Sequence, residues 1–243
     1  MLSLSKMQGG ITTSRFKSYI HSKKSTYPIQ RPIELQDGYK SSSALMALVI
    51  SNYLLSLIPF AMAFHSSIQP ITSNSSSSKY HVNYDGKTIE TTVTNKAAVI
   101  EKWVDDILFI YAVKPKMVVG LDVEWRPHSN SSMSNKSATL QLCIDTKCLI
   151  IQLFYIDYIP LTLKSFLLNP KFTFAGVEVE GDISKLKNEY GLDCAKSADV
   201  RSETIKRRPF LYSRKPGLKH IARDVAGLYM EKPLHIAHKL FLK

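Results

Sequence analysis

An α/β fold built on a mixed sheet is what this sequence predicts, and three observations predict it. Met117 to Leu121 is an apolar run that delivers two carboxylates, Asp122 and Glu124, at alternate positions. Two more strand-like runs, Ala138 to Ile144 and Cys148 to Leu153, follow it across short loops and should pair as an antiparallel meander. A further run, Phe172 to Val177, is flanked by helical stretches, and that strand-helix-strand crossover makes the sheet mixed.

Composition bounds the rest. The 243 residues, 44% hydrophobic and 21% charged, fit one globular domain plus extra segments. A net charge of +12 implies attraction to polyanions, meaning nucleic acid or an anionic membrane. Cys143, Cys148 and Cys194 are odd in number and lack metal-site spacing, so they read as reduced packing thiols of an intracellular protein rather than a disulfide framework.

Residues 1–43 carry no acid before Glu34, while Lys6, Arg15, Lys17, Lys23, Lys24 and Arg31 lie among Ser and Thr. Organellar transit peptides and disordered basic arms share that composition. Ala44 to Phe64 is long and apolar enough as a helix to cross a bilayer core of about 30 Å. The positive-inside rule would then place the remainder on the far side, which sits badly with a reduced, nucleic-acid-facing domain. Three readings stay open for 44–64: a membrane anchor, a buried or cleaved targeting element, or sequence foreign to the domain. Residues 65–79, Ser-rich from Ser73 to Ser78, read as a linker, leaving 80–243 as the domain.

The domain opens with a hairpin, Tyr80 to Tyr84 and Lys87 to Thr94 about Asp85-Gly86. Thr94 or Asn95 then caps a helix whose apolar positions, Val99, Ile100, Trp103, Val104, Ile107, Leu108 and Tyr111, recur at helical spacing until Pro115. After the carboxylate strand comes a polar loop, Pro127 to Ser137, then the meander, a short helix over Pro160 to Leu168, and the Phe172 strand. A helix opens at Ile183 and runs to Tyr190, with Asp182 either its N-cap or a third carboxylate facing the first two. A last amphipathic helix spans Gly217 to Leu228.

Side chains of a strand repeat every second residue, so Asp122 and Glu124 share one face while Val123 enters the core. Such carboxylates repel, and a fold that holds them together at the end of a buried strand normally needs a cation between them, a divalent metal being the obvious one. The competing reading is a solubilising strand end. Farther on, Lys206, Arg207, Arg208, Arg214 and Lys215 interleave with Phe210 and Tyr212. Cations for phosphates and aromatic faces for bases hold single strands without reading sequence, and a solvated loop is the plain alternative.

Four segments in order, Gly120-Leu-Asp-Val-Glu-Trp-Arg-Pro, Ala138-Thr-Leu-Gln-Leu-Cys, Phe174-Ala-Gly-Val-Glu-Val-Glu-Gly-Asp-Ile-Ser-Lys-Leu and Gly217-Leu-Lys, resemble the Werner-syndrome-type 3′-5′ exonuclease domain, most like its small plant members. The likeness runs from about Tyr80 to Pro233. It implies a ribonuclease-H-like fold and a place among the DEDD exonucleases, which hydrolyse the terminal phosphodiester of DNA or RNA with two divalent ions, Mg2+ or Mn2+. By position, Asp122 and Glu124 match the first motif and Asp182 the second, as catalytic metal ligands. Trp125 and Arg126, beside the first motif, join the basic cluster as the expected nucleic-acid contacts. The family's third motif, a Tyr with an Asp four residues later, has no counterpart: no acid follows Glu231, and His235 and His238 cannot recreate it. The expectation is a family member truncated before that motif, C-terminally incomplete and impaired in hydrolysis, or else a catalytically silent nucleic-acid-binding or interaction module. Its expected partner is DNA or RNA with a free 3′ end, and its expected location the nucleus or cytoplasm, with organellar targeting or a membrane anchor as the variants.

Overall fold

A computed structural model of the chain describes residues 68–73, 77–84, 86–125, 135–212 and 214–228. All lie in the second of the chain's two compact units, Lys40–Lys243. The basic arm, the stretch 44–64, Arg126 and most of its loop, and His235 and His238 fall outside the described residues. Among the described residues, no helix is long and apolar enough to cross a membrane.

The strands are β1 (Ile68–Ser73), β2 (Ser77–Tyr84), β3 (Lys87–Thr94), β4 (Met117–Glu124), β5 (Thr139–Ile144), β6 (Lys147–Gln152), β7 (Phe172–Gly176) and β8 (Ser197–Asp199). They form one sheet in the order β1-β2-β3-β6-β5-β4-β7-β8. The meander β4-β5-β6 is antiparallel, while β7 joins β4, β8 joins β7 and β3 joins β6 in parallel. The sheet is therefore mixed, and its five strands β6-β5-β4-β7-β8 run third-second-first-fourth-fifth in chain order, the ribonuclease-H-like arrangement. The expected hairpin is present, with Tyr84 opposite Lys87 and Gly86 at φ 71°, a left-handed conformation that glycine adopts without steric penalty.

The linker expectation needs correction, because β1 and the start of β2 occupy residues read as linker. β1 reads Ile-Gln-Pro-Ile-Thr-Ser and β2 opens Ser-Ser-Lys, and their pairing is a main-chain matter that composition hides. Pro70 is tolerated because β1 is an edge strand, and the register shifts between Pro70 and Thr72.

The helices are α1 (Ala97–Ile110), α2 (Leu161–Leu167), α3 (Val179–Tyr190), α4 (Val200–Arg207) and α5 (Leu218–Ala226). The N-cap position of α1 is Lys96, whose side chain makes no cap. Thr94 Oγ1 instead accepts the Lys96 N–H at 3.0 Å, and Asp157, distant in sequence, accepts the Ala97 N–H at 2.9 Å. That backbone hydrogen bond holds the Asp157 carboxyl below its usual range. One sheet face, bearing Val119, Leu121, Val123, Leu140, Leu142, Leu149, Ile151, Phe172 and Phe174, packs with α1, α2 and α3 into the main core. On the opposite face α4 and α5 cover Val118 and Ala175 through Val200, Ile221 and Ala222. The helix α4 was not anticipated: Lys206 and Arg207 form its last turn rather than a loop, and Asp199 caps it by accepting the Ser202 N–H at 2.7 Å.

Candidate active site and nucleic-acid interface

Register puts Asp122 opposite Gln141 and Glu124 opposite Thr139. These four side chains therefore share the sheet face opposite the main core, at the carboxyl end of β4. Both acids are half-buried. Gln141 is fully buried, 0% exposed, and its Nε2 donates to Asp122 Oδ2 at 3.2 Å.

Asp182 is not an N-cap. The helix α3 begins at Val179, so Asp182 stands within its first turn. Val179, Asp182 and Leu186 fall at i, i+3 and i+7, the stripe that a helix buries, and the flanking pair belong to the main core. An acid thus occupies an apolar position, leaving Asp182 only 7% exposed. Its pKa is pushed up to about 7, first by burial and then by the negative charges of Glu124 and Glu178. The second motif and the first motif meet here.

Backbone geometry brings them together. At Gly176 a Cβ would lie 2.7 Å from the Leu121 carbonyl oxygen, so only glycine lets β7 run this close to β4 just before the acids. Glu178 then turns the chain into α3 with φ 60°, a left-handed conformation uncommon for a side-chain-bearing residue. It is braced from α4, with its N–H donated to Asp199 Oδ2 and its carboxylate paired with Arg201. Such strained residues gather at functional sites. The far end of α3 grips the chain entering β5: Glu189 accepts the Ser137 N–H at 2.7 Å, Tyr190 donates to the Ser137 carbonyl at 2.6 Å, and Lys185 donates to the Asn135 carbonyl at 2.7 Å.

Hard carboxylate oxygens held against their own repulsion fit a divalent cation in donor chemistry and in charge. Among the described residues, however, no group of three His, Cys, Asp or Glu side chains is closed enough to hold a metal ion by itself. Glu124 and Asp182 interact and Asp122 stands on the same face as Glu124. The three acids form an open set, which their mutual repulsion favours.

The expected nucleic-acid contacts divide. Trp125 is half-buried against the main core with Lys185 Nζ 5.3 Å from its ring centroid, so it is held by the fold. Lys206 pairs with Glu203 at 2.9 Å, and Arg208 donates to the Asp224 carbonyl at 3.1 Å. Arg207, Arg214 and Lys215 are exposed, and Phe210 is 100% exposed between them. Gln141 and Glu178 were missed as site residues. Gln141 alternates with the main-core residues Leu140 and Leu142, so the local pattern reads it as an outward position and does not mark it.

A 3′-5′ exonuclease domain model matches residues 100–239, more than half of the chain and all of the acids above. The chain belongs to the 3′-5′ exonuclease family. Curated relatives include a 3′-5′ exonuclease of Arabidopsis thaliana, 32% identical over 84 residues, covering 34% of this chain and 29% of that protein. Another is the bifunctional 3′-5′ exonuclease/ATP-dependent helicase of Mus musculus, 32% identical over 93 residues, covering 37% of this chain and 7% of that protein. The chain thus spans less than a third of the length of either exonuclease. A crystal structure of the EXD2 exonuclease domain, soaked in Mg and GMP, is 23% identical with a TM-score of 0.42, over 56% of this chain and 70% of that one.

Proposed function

We propose that this chain acts at the 3′ end of a nucleic acid, with Asp122, Glu124 and Asp182 holding Mg2+ or Mn2+ for phosphodiester hydrolysis. The observation that carries the reading is the buried Asp182 facing Glu124 inside the family-matched segment. A divalent pair bound there would activate the attacking water and stabilise the leaving oxygen. The chain's own residues supply the rest. Gly176 and the braced Glu178 set the acids against one another. With its pKa near 7, Asp182 exchanges a proton at neutral pH, and a cation on its carboxylate would displace that proton. Arg207, Arg208, Arg214 and Lys215 offer cations to the phosphates while Phe210 presents a face on which a base can stack.

The test is a nuclease assay of the full chain on 3′-labelled single-stranded and recessed duplex DNA and RNA, with and without Mg2+ or Mn2+. Cation-dependent shortening from the 3′ end is expected, falling by at least 10- to 100-fold in Asp122→Ala. Activity retained in Asp122→Ala would refute the assignment. One observation favours a second reading, a binding module with little or no hydrolysis: the acids form an open set among the described residues. That reading expects salt-sensitive binding of single strands without product. Membrane association through 44–64 is a separate proposal, tested by carbonate extraction.

A further inference from the structure

Gln141 sits between two apolar neighbours, Leu140 and Leu142, on the central strand of the meander, and is wholly buried. Its amide orientation is set chemically: an ionised carboxylate only accepts, so the Nε2 side must face Asp122 Oδ2. That leaves Oε1 buried and, among the described residues, without a hydrogen-bond partner, as is Thr139 Oγ1 two residues earlier on the same strand face. A buried acceptor left in that state destabilises a fold, whereas an apolar side chain of the same shape would not. Stability of the fold does not account for an amide here, and the contact it does make is with Asp122.

From this we infer that Gln141 is a positioning residue for the first-motif carboxylate. It holds Asp122 in one orientation toward the cation and, through Oε1 and the nearby Thr139 hydroxyl, binds a bridging water beside it. The inference rests on the metal-binding reading above and extends it to a residue outside the three acids. It also sets the two consequences of losing the amide in opposition. In Gln141→Met the unsatisfied oxygen disappears, while half-buried Asp122 can recover a hydrogen bond from solvent, so the fold gains or is unchanged. Cation affinity falls.

The experiment is Mn2+ binding to the full chain, followed by the loss of the free-ion electron paramagnetic resonance signal, with the thermal midpoint measured on the same samples. Gln141→Met and Gln141→Leu are expected to weaken Mn2+ binding about 10- to 100-fold with an unchanged or higher midpoint. Equal affinity in parent and variants overturns the inference and leaves the metal reading standing. Parallel loss of midpoint and affinity, or failure of both variants to fold, assigns the amide to the fold and also overturns it. A parent chain that binds no Mn2+ refutes the metal reading itself, and the inference with it.

Discussion

The two faces of the sheet are built to opposite specifications. Against α1, α2 and α3, Phe166 meets Phe172 at 4.6 Å, Phe174 at 5.8 Å and Trp103 at 6.1 Å between ring centroids, in tilted and edge-on contacts. The other face has two smaller apolar clusters, one around Val118 and Ala175 and one around Cys143 and Cys148, with Asp122, Glu124, Thr139 and Gln141 beside them. One strand serves both: β4 sends Val119, Leu121 and Val123 into the aromatic side and Asp122 and Glu124 to the other. The acids are therefore positioned by packing they do not touch. Dense packing on one side lets the polar side keep unfavourable charge in a fixed place.

The largest expected effect tests that division of labour. Phe166→Ala removes a fully buried ring from the centre of the aromatic cluster and should lower unfolding stability by about 3–5 kcal/mol in urea titration. A loss below about 1 kcal/mol would mean that the two faces share stability evenly, and the asymmetry would fail.

At the buried acid of α3 the sign reverses. The folded pKa of Asp182, about 7, lies above the roughly 3.9 of an unfolded Asp. Between those values the folded state keeps a proton that the unfolded state has released. This group's contribution to stability is thus fully present below about pH 4, declines as pH rises toward 7, and stays lost above it. Asp182→Asn should abolish that decline and raise stability at pH 8 by about 2 kcal/mol, less than the full shift implies because the site can relax. If the proposed cation site is correct, it should also remove any stabilisation of the parent chain by Mn2+. Denaturant midpoints from pH 4 to 8 would show both; a variant with the parent's pH profile would place the raised pKa elsewhere.

How much of this was readable depended on whether the signal was local. Alternation in Met117 to Glu124 exposed the shared face of the acids, and helical spacing from Val99 to Tyr111 exposed the core stripe of α1, because both patterns follow from backbone geometry alone. Asp182 was legible as a candidate but not as buried, since the register of α3 was set by Val179 and the turn at Glu178, four residues before the expected start. The strand β1 was hidden because it is a short edge strand interrupted by Pro70 and a register shift, defined by main-chain pairing rather than by a side-chain pattern. Asp157 as a partner of α1, and Gln141 as a partner of Asp122, are contacts between segments that no single window contains.

The smallest expected effect sharpens the comparison by separating fold from binding on one helix. Lys206 lies in the last turn of α4, its charge directed to solvent and paired with Glu203. Exposed ion pairs of this kind add little to stability, because solvent screens the attraction and ordering two long side chains opposes it. Lys206→Ala should therefore leave the thermal midpoint unchanged. Binding to a single strand depends on something different, the counterions a protein cation displaces from phosphate, and each such contact adds about 0.7 to the slope of log affinity against log salt. If Lys206 trades Glu203 for a phosphate when the strand binds, its removal should make that slope shallower by about that amount. An unchanged slope would confine the interface to Arg207, Arg208, Arg214 and Lys215. A lowered midpoint would show that α4 depends on its charged last turn for the fold itself, unlike the helices on the aromatic side, which are held by packing.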